Sequence, residues 1–438
     1  VDGPEGKVAD EQTFSRESTA DAAVVATYHL ATTTNNILNG AITCFTAVNA
    51  DELNYVGKLD AIQQFYKSSI STTNQHISGA FWADPYKMIG NINDCIEGLN
   101  KSRTISDDFK KQRLAECKFL RALIYFNLTQ LYGDVPLVLT TDYKINAGLG
   151  RTKMSEINDT IIADLQEAQQ YLPEAYLSTE RVRANKWAAI ALLARFYLYQ
   201  RDWVNAYNLA SEVIESGAYK LPIGLDSVFL SNSTEAILQL QPVLNGYNCA
   251  DAIYFVPSDL AAPSYCLTDS LLHAFDPSDK RFNSWVAVKN VDDTNWYYPY
   301  KYKIRPGNFP GFRPVEYNTV IRLAEMYLIR AEAALALHRT ASAVADLDVI
   351  RKRAGRASVL QKNPGISEQD LSHAIQEERR LEFFAEGGQR WFDLKRTGEA
   401  DNVLKYKSDW QPNDVLFPIP LSQIQANPNL KQNPGYTE

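Results

Sequence analysis

The sequence predicts a mainly α-helical fold: a tetratricopeptide-like helical-repeat scaffold carrying an irregular, loop-rich subdomain. Three observations predict it. Ala194, Leu198, Ala206, Ala210 and Val213 are spaced four, eight, four and three residues apart, and Ala331, Leu335, Ala343, Leu347 and Ile350 repeat those intervals. Small residues let antiparallel helices approach, and the larger ones fill the gap, which is the signature of a repeated helical hairpin. The run Glu377 to Arg396 sets charge and aromatic residues at helical spacing. Between Leu221 and Pro314 that periodicity fails, and Pro, Gly, Asn, Asp and Tyr take over.

Taken in order, helices are expected over Ser18–Leu38 and Pro85–Leu99, packed alongside the repeats. The amphipathic stretch Leu114–Tyr132 pairs with Ser155–Leu172 across a long insertion, Gly133–Met154. Ala184–Gly217 reads as two helices around the turn Arg201-Asp202-Trp203. In the irregular segment Ala236–Leu240 and Trp285–Val288 look like short strands; long irregular stretches in compact domains tend to carry function. The last repeat unit is Leu371–Glu386 with Gln389–Arg396, its helix ending at Gly387-Gly388 because glycine takes the left-handed C-cap. A proline-rich tail follows Lys405. The expected division is 1–220, 221–314 and 315–438, integrated as one fold.

Composition excludes several classes. A net charge of −8 and a pI near 5.4 argue against a nucleic-acid partner. Cys44, Cys95, Cys117, Cys249 and Cys266 are too sparse, and odd in number, for a disulfide framework. Only Cys249 and Cys266 sit in loop-rich sequence where pairing is conceivable, and the expectation is that they stay free. The five histidines lack metal-ligand spacing, and there is no phosphate loop or nucleophile elbow. No cofactor and no metal are expected. No apolar run reaches the length of a membrane span, and Val1-Asp2-Gly3-Pro4 reads as the trimmed start of a mature chain.

Glu378, Glu382 and Glu386 fall at i, i+4 and i+8, on one helix face. Like charges so placed repel, so cations must meet them: Arg379 and Arg390 locally, or Arg and Lys from other segments. A catalytic pair is disfavoured, because glycosidase carboxylates flank a sugar from opposite sides. Leu381, Phe383 and Phe384 form the buried stripe.

This run, with Leu416-Phe417-Pro418-Ile419-Pro420 and Gln432-Asn433-Pro434-Gly435-Tyr436, resembles the C-terminal signature of the SusD/RagB-like family. Phe119-Leu120-Arg121-Ala122 through Leu131-Tyr132-Gly133-Asp134-Val135-Pro136, then Arg322-Leu323-Ala324-Glu325-Met326-Tyr327-Leu328, extend the resemblance over most of the chain. It implies a non-catalytic, cell-surface lipoprotein of the outer membrane. Such a protein binds glycan and delivers it to a SusC-like TonB-dependent transporter. It implies membrane association through an N-terminal lipid anchor on a cysteine; that cysteine is absent from this sequence.

The family motifs are scaffold motifs, so the ligand site is sought in the variable segments. Aromatic rings stack on sugar C–H faces while amides and acids meet the hydroxyls. Trp296, with Asn295 and Tyr297 beside Asp292 and Asp293 in turn-rich sequence, is the leading platform. Tyr247 with Asn245 and Asn248, and Asp51 with Asn54 and Tyr55, are further candidates. Trp82, Tyr86, Trp187, Trp203, Trp285 and Trp391 are expected to be structural. The alternative function is a tetratricopeptide-type protein–protein adaptor without a small-molecule ligand.

Overall fold

The computed structural model describes residues 12–33, 35–243, 248–258, 261–305 and 313–437. The protein is mainly helical with a few short strands. Among the described residues, four antiparallel hairpins form the scaffold: Asp107–Tyr132 with Met154–Tyr171, Lys186–Tyr199 with Trp203–Glu215, Leu323–Ala336 with Thr340–Arg353, and Glu368–Phe383 with Gln389–Thr397. Each packs on the next along the chain.

The matched intervals identify equivalent positions. All ten residues of the two sets are buried. The chain also turns the same way in both hairpins: Arg201 and His338, seven residues beyond Ala194 and Ala331, each adopt φ of 57°. A non-glycine residue in that region is uncommon, so the coincidence marks a repeated connection as well as a repeated interface. Asn185 and Asp202 cap the second hairpin's helices by accepting from Ala188 N and Asn205 N.

The N-terminal helices run over Glu17–Thr33 and Asp84–Lys101. The first stops five residues short of the expected end, and a separate buried helix, Ala41–Asn49, starts just past Gly40 at φ 68°. The segment from 221 to 314 is not structureless. It holds strands β2 (Ala236–Leu240), β3 (Tyr265–Leu267), β4 (Val286–Val291) and β5 (Thr294–Pro299), with short helices between them. β3 pairs with β1 (Leu53–Tyr55) and β2 with β6 (Asn318–Arg322), all antiparallel. The segment is therefore stitched to both flanks of the scaffold. The five cysteines are buried and free.

The proline-rich tail closes the core. Phe417 is fully buried, its N donates to Leu131 O at 2.8 Å, and its ring meets Phe65, Phe81, Tyr132 and Trp391. Asn433 donates to Tyr132 O at 3.0 Å and to Phe417 O at 2.8 Å.

The glutamate face is the most heavily charged part of the interior. Glu378 meets Arg281 at 2.7 Å and Arg356 at 2.7 Å. Glu382 meets Arg281 at 2.9 Å, Arg322 at 2.6 Å and Arg353. Glu386 meets Arg322 at 2.6 Å and Lys301 at 2.8 Å. Every cation comes from another segment. The two local candidates are engaged elsewhere, Arg379 with Asp393 at 2.8 Å and Arg390 with Asp51 at 2.7 Å. The helix also ends earlier than its glycines suggest, at Phe383, with Ala385 already at φ 46°. Glu386 thus reaches the network from the turn, not from the helix.

Burial alone would raise the Glu382 carboxyl, but Arg353, Arg322 and Arg281 hold it well below the usual carboxylate range. Replacing Glu382 with Gln leaves three buried guanidinium groups short of an anion. It is expected to cost about 3–5 kcal/mol, read as a lower urea midpoint; an unchanged midpoint would remove the network from its structural role.

Glu52 behaves in the opposite sense. Burial and the neighbouring Asp51 push its carboxyl up to about 8, against the Ala385 N–H and the more distant Arg390 and Arg380. The folded chain therefore keeps a proton that the unfolded chain releases near 4.5. Its stabilising contribution is full below that pH and is lost as pH rises through about 8. Glu52→Gln cannot titrate, so its unfolding free energy relative to the parent should climb between pH 5 and 8, by at most about 1.4 kcal/mol per pH unit. Parallel curves of stability against pH for the two proteins would contradict this.

Candidate functional site

β4 and β5 form a two-residue hairpin whose loop is Asp292-Asp293, at φ 50° and 59°. Such loops need both central residues left-handed, and aspartate tolerates that better than most side chains. Trp296 therefore lies on a strand, opposite Lys289, and not in a turn as its local sequence suggests. Lys289 Nζ donates to Ser258 O at 2.6 Å, and Asn290 Nδ2 donates to Asn295 Oδ1 at 2.9 Å. The exposed end of the hairpin is thus held by polar contacts.

The seven tryptophans separate cleanly. Trp82, Trp285, Trp391 and Trp410 are buried, and Trp187 and Trp203 are half-buried against the core. Trp296 is half-exposed and packs against neither core cluster. Among the described residues it contacts no other ring. Since Trp is highly buried on average, a partly exposed indole outside both core clusters needs a reason.

The other sequence candidates divide. Asn295 is exposed beside Trp296. Tyr297 is instead packed against the core, its ring 5.9 Å from Phe282. Asp51 is buried: burial raises its carboxyl, but Arg390 and Arg380 hold it below the usual range, donating to it at 2.7 and 2.8 Å. A carboxylate committed to two guanidinium groups has little left for a ligand. Tyr55 is buried on β1, 5.1 Å from the Tyr265 ring. Asn54 remains half-exposed, with Tyr66 OH donating to its Oδ1 at 3.4 Å. Tyr247 and Asn245 lie outside the described residues, and Asn248 is buried, accepting from Val315 N at 2.9 Å.

The structure adds aromatic residues that the sequence reading missed. Tyr406 is 61% exposed, and the groups that bear on its hydroxyl are Asp51, Tyr66 and Arg380. Tyr66 is half-exposed, with Lys407 Nζ 5.8 Å from its ring centre. Arg380 Nη2 donates to Ser270 Oγ at 3.1 Å. Tyr66, Tyr406, Asn54 and Arg380 thus place two rings, an amide and a guanidinium together. The signal was available: Tyr406 sits between Lys405 and Lys407, outside every helical stripe. β3 links the two aromatic groups, pairing with β1, which carries Asn54, and packing beside β5, which carries Trp296. No group of His, Cys, Asp and Glu among the described residues is arranged to hold a metal ion. What the face offers chemically is stacking and hydrogen bonding.

Two family profiles match the chain in order. One, described as "Starch-binding associating with outer membrane", matches residues 6–198, and the other, the SusD family, matches residues 275–436. Among characterised relatives, SusD-like protein P25 of Formosa agariphila is 27% identical over 99% of this chain and 95% of its own. The starch-binding protein SusD of Bacteroides thetaiotaomicron is also 27% identical, over 78% of this chain and 75% of its own. Among solved structures, a laminarin-binding SusD-like protein superposes with a TM-score of 0.79 at 26% identity, covering 96% of this chain and 99% of that one. A SusD superfamily protein of Bacteroides vulgatus gives a TM-score of 0.82 at 21% identity, covering 97% and 100%. With the profiles spanning both ends of the scaffold and the same architecture recurring in the solved structures, the chain belongs to the SusD/RagB-like family.

Proposed function

We propose that the chain binds an oligo- or polysaccharide at the surface of an outer membrane and delivers it, without hydrolysis, to a TonB-dependent transporter. The observation that carries the reading is Trp296, a partly exposed indole that joins neither core cluster and no ring pair, held on the second strand of a polar-braced hairpin. Asn295 beside it and the Tyr66–Tyr406 pair with Asn54 extend the same stacking and hydrogen-bonding chemistry. Relatives named for starch and laminarin binding support a glycan as the ligand. The outer-membrane wording of the family description supports the location. Binding without turnover fits the acidic cluster, since the carboxylates of Glu378, Glu382 and Glu386 are all met by arginine or lysine inside the protein.

Open stacking without enclosure implies modest affinity, on the order of micromolar to millimolar. A calorimetric screen against neutral polysaccharides, starch and laminarin included, should find a binder and release no reducing ends. Trp296→Ala should then weaken binding by about five- to 150-fold, as expected for loss of a stacking contact of about 1–3 kcal/mol, and leave the melting temperature nearly unchanged. A drop in stability of about 3 kcal/mol or more would mark the indole as core. Unchanged binding and stability would move the site to Tyr66 and Tyr406, where Tyr406→Ala is the corresponding test.

A further inference from the structure

A cleft of about 630 Å³ opens where three distant parts of the chain meet. Phe14 and Ser15 come from ahead of helix Glu17–Thr33, Asp94 to Thr104 from the end of helix Asp84–Lys101 and the loop after it, and Thr141 from the insertion. None of these lies on the elements that carry Trp296 or Tyr406. The volume is in the range of a small-ligand site.

The walls are fixed to one another. Ser102 Oγ donates to Phe14 O at 2.6 Å, and Thr104 Oγ1 donates to Ser15 O at 2.8 Å. Glu97 Oε1 accepts from Thr141 N at 2.8 Å and from Thr140 Oγ1 at 3.1 Å. Gly98 brings the aromatic wall in. A Cβ there would stand 2.1 Å from the Phe14 ring, so the ring lies directly on the helix. A cleft tied together in this way needs little reordering when a ligand enters, which lowers the entropic cost of binding.

The chemistry of the walls narrows the ligand. Asp94 and Glu97 contribute two carboxylates and Lys101 and Arg103 two cations, so the lining carries no net charge. Burial raises the Glu97 carboxyl, but the Thr141 N–H, Lys101 and the Thr141 and Thr140 hydroxyls hold it down to about 2. It is therefore an acceptor at neutral pH. With Thr140, Thr141 and Lys101 (2.9 Å) already on its oxygens, little is left for a metal ion. The two carboxylates repel phosphate and sulfate. An apolar tail would strip water from four charged groups without replacing their hydrogen bonds. Arg103 is exposed, and among the described residues no ion pair or hydrogen bond holds its guanidinium. What fits is a neutral molecule with hydroxyls for the charged groups and a C–H face for the Phe14 ring.

We propose that this cleft is a second saccharide site, which takes a neutral mono- or disaccharide against Phe14 and Gly98, with Glu97 and Arg103 meeting its hydroxyls. It differs in kind from the platform at Trp296. An open indole can hold the middle of a long chain, whereas a cleft walled by three parts of the chain selects a short sugar or a chain terminus. The assignment is read from the cleft's own walls and does not need Trp296 to bind.

The test titrates the isotopically labelled chain with glucose, galactose, maltose and laminaribiose and follows the backbone amide resonances of Gly98, Ser102 and Thr141. At least one sugar should shift them saturably, with a Kd on the order of millimolar, in the parent and equally in Trp296→Ala. Arg103→Ala should weaken that binding by about three- to tenfold, as for loss of one hydrogen bond, at an unchanged melting temperature. Shifts confined to Trp296 and its neighbours overturn the cleft and leave the platform standing. Silence of the three amides toward all four sugars, or an affinity in Arg103→Ala equal to the parent's, overturns the assignment as well.

Discussion

The buried ion network along Glu378, Glu382 and Glu386 is the constraint on which the rest of the structure depends. Its cations are drawn from Arg281 and Lys301 in the irregular segment, Arg322 at the start of the third hairpin, and Arg353 and Arg356 at its end. No one of these segments can leave without stranding a charge in the interior, which is far costlier than losing a surface pair. The network therefore joins the third and fourth hairpins and the irregular segment that precedes them into one body. It gains less from net attraction than from the penalty attached to every partly assembled alternative.

That division of labour separates scaffold from site. The arginines and glutamates that identify the family are fully occupied inside. The residues proposed to meet a ligand sit on elements the repeats do not specify: the β4–β5 hairpin, the short β1 strand and the irregular tail. A rigid interior with its recognition groups on braced edges can change those edges without disturbing the charges beneath. Asp51 marks the boundary between the two. It lies one strand residue from the rim at Asn54, yet its carboxylate belongs to the interior through Arg390 and Arg380.

The helical part was legible because its signal is local. The interval match between Ala194 and Ala331 reports packing that repeats wherever the spacing repeats, and it extended to the shared left-handed turn at Arg201 and His338. The partners of the glutamates were not legible in the same way. The need for cations followed from like-charge spacing, but their identity depended on pairing Glu382 with residues as distant in sequence as Arg281. At the candidate site the errors share one form. Tyr55 and Tyr297 were read as loop residues, whereas both lie on strands, Tyr55 paired over more than 200 residues with Tyr265 and Tyr297 across a two-residue hairpin whose turn residues are Asp-Asp. Trp296 was placed in a turn because the Asp292-Asp293 loop precedes it by only two residues, whereas it lies on β5. Tyr406 escaped notice because an aromatic between lysines carries no periodicity to draw attention to it.

Phe417 has a temporal consequence. Its ring completes a core three of whose other walls, Phe65, Phe81 and Tyr132, lie in the first third of the chain, while the fourth, Trp391, precedes it only shortly. A ribosome delivers the first three walls hundreds of residues before the plug. Until residue 417 emerges, the early helices face one another across a gap, and the contacts that would hold them are among the most distant in the sequence. Long-range closure of this kind slows folding and leaves apolar surface waiting.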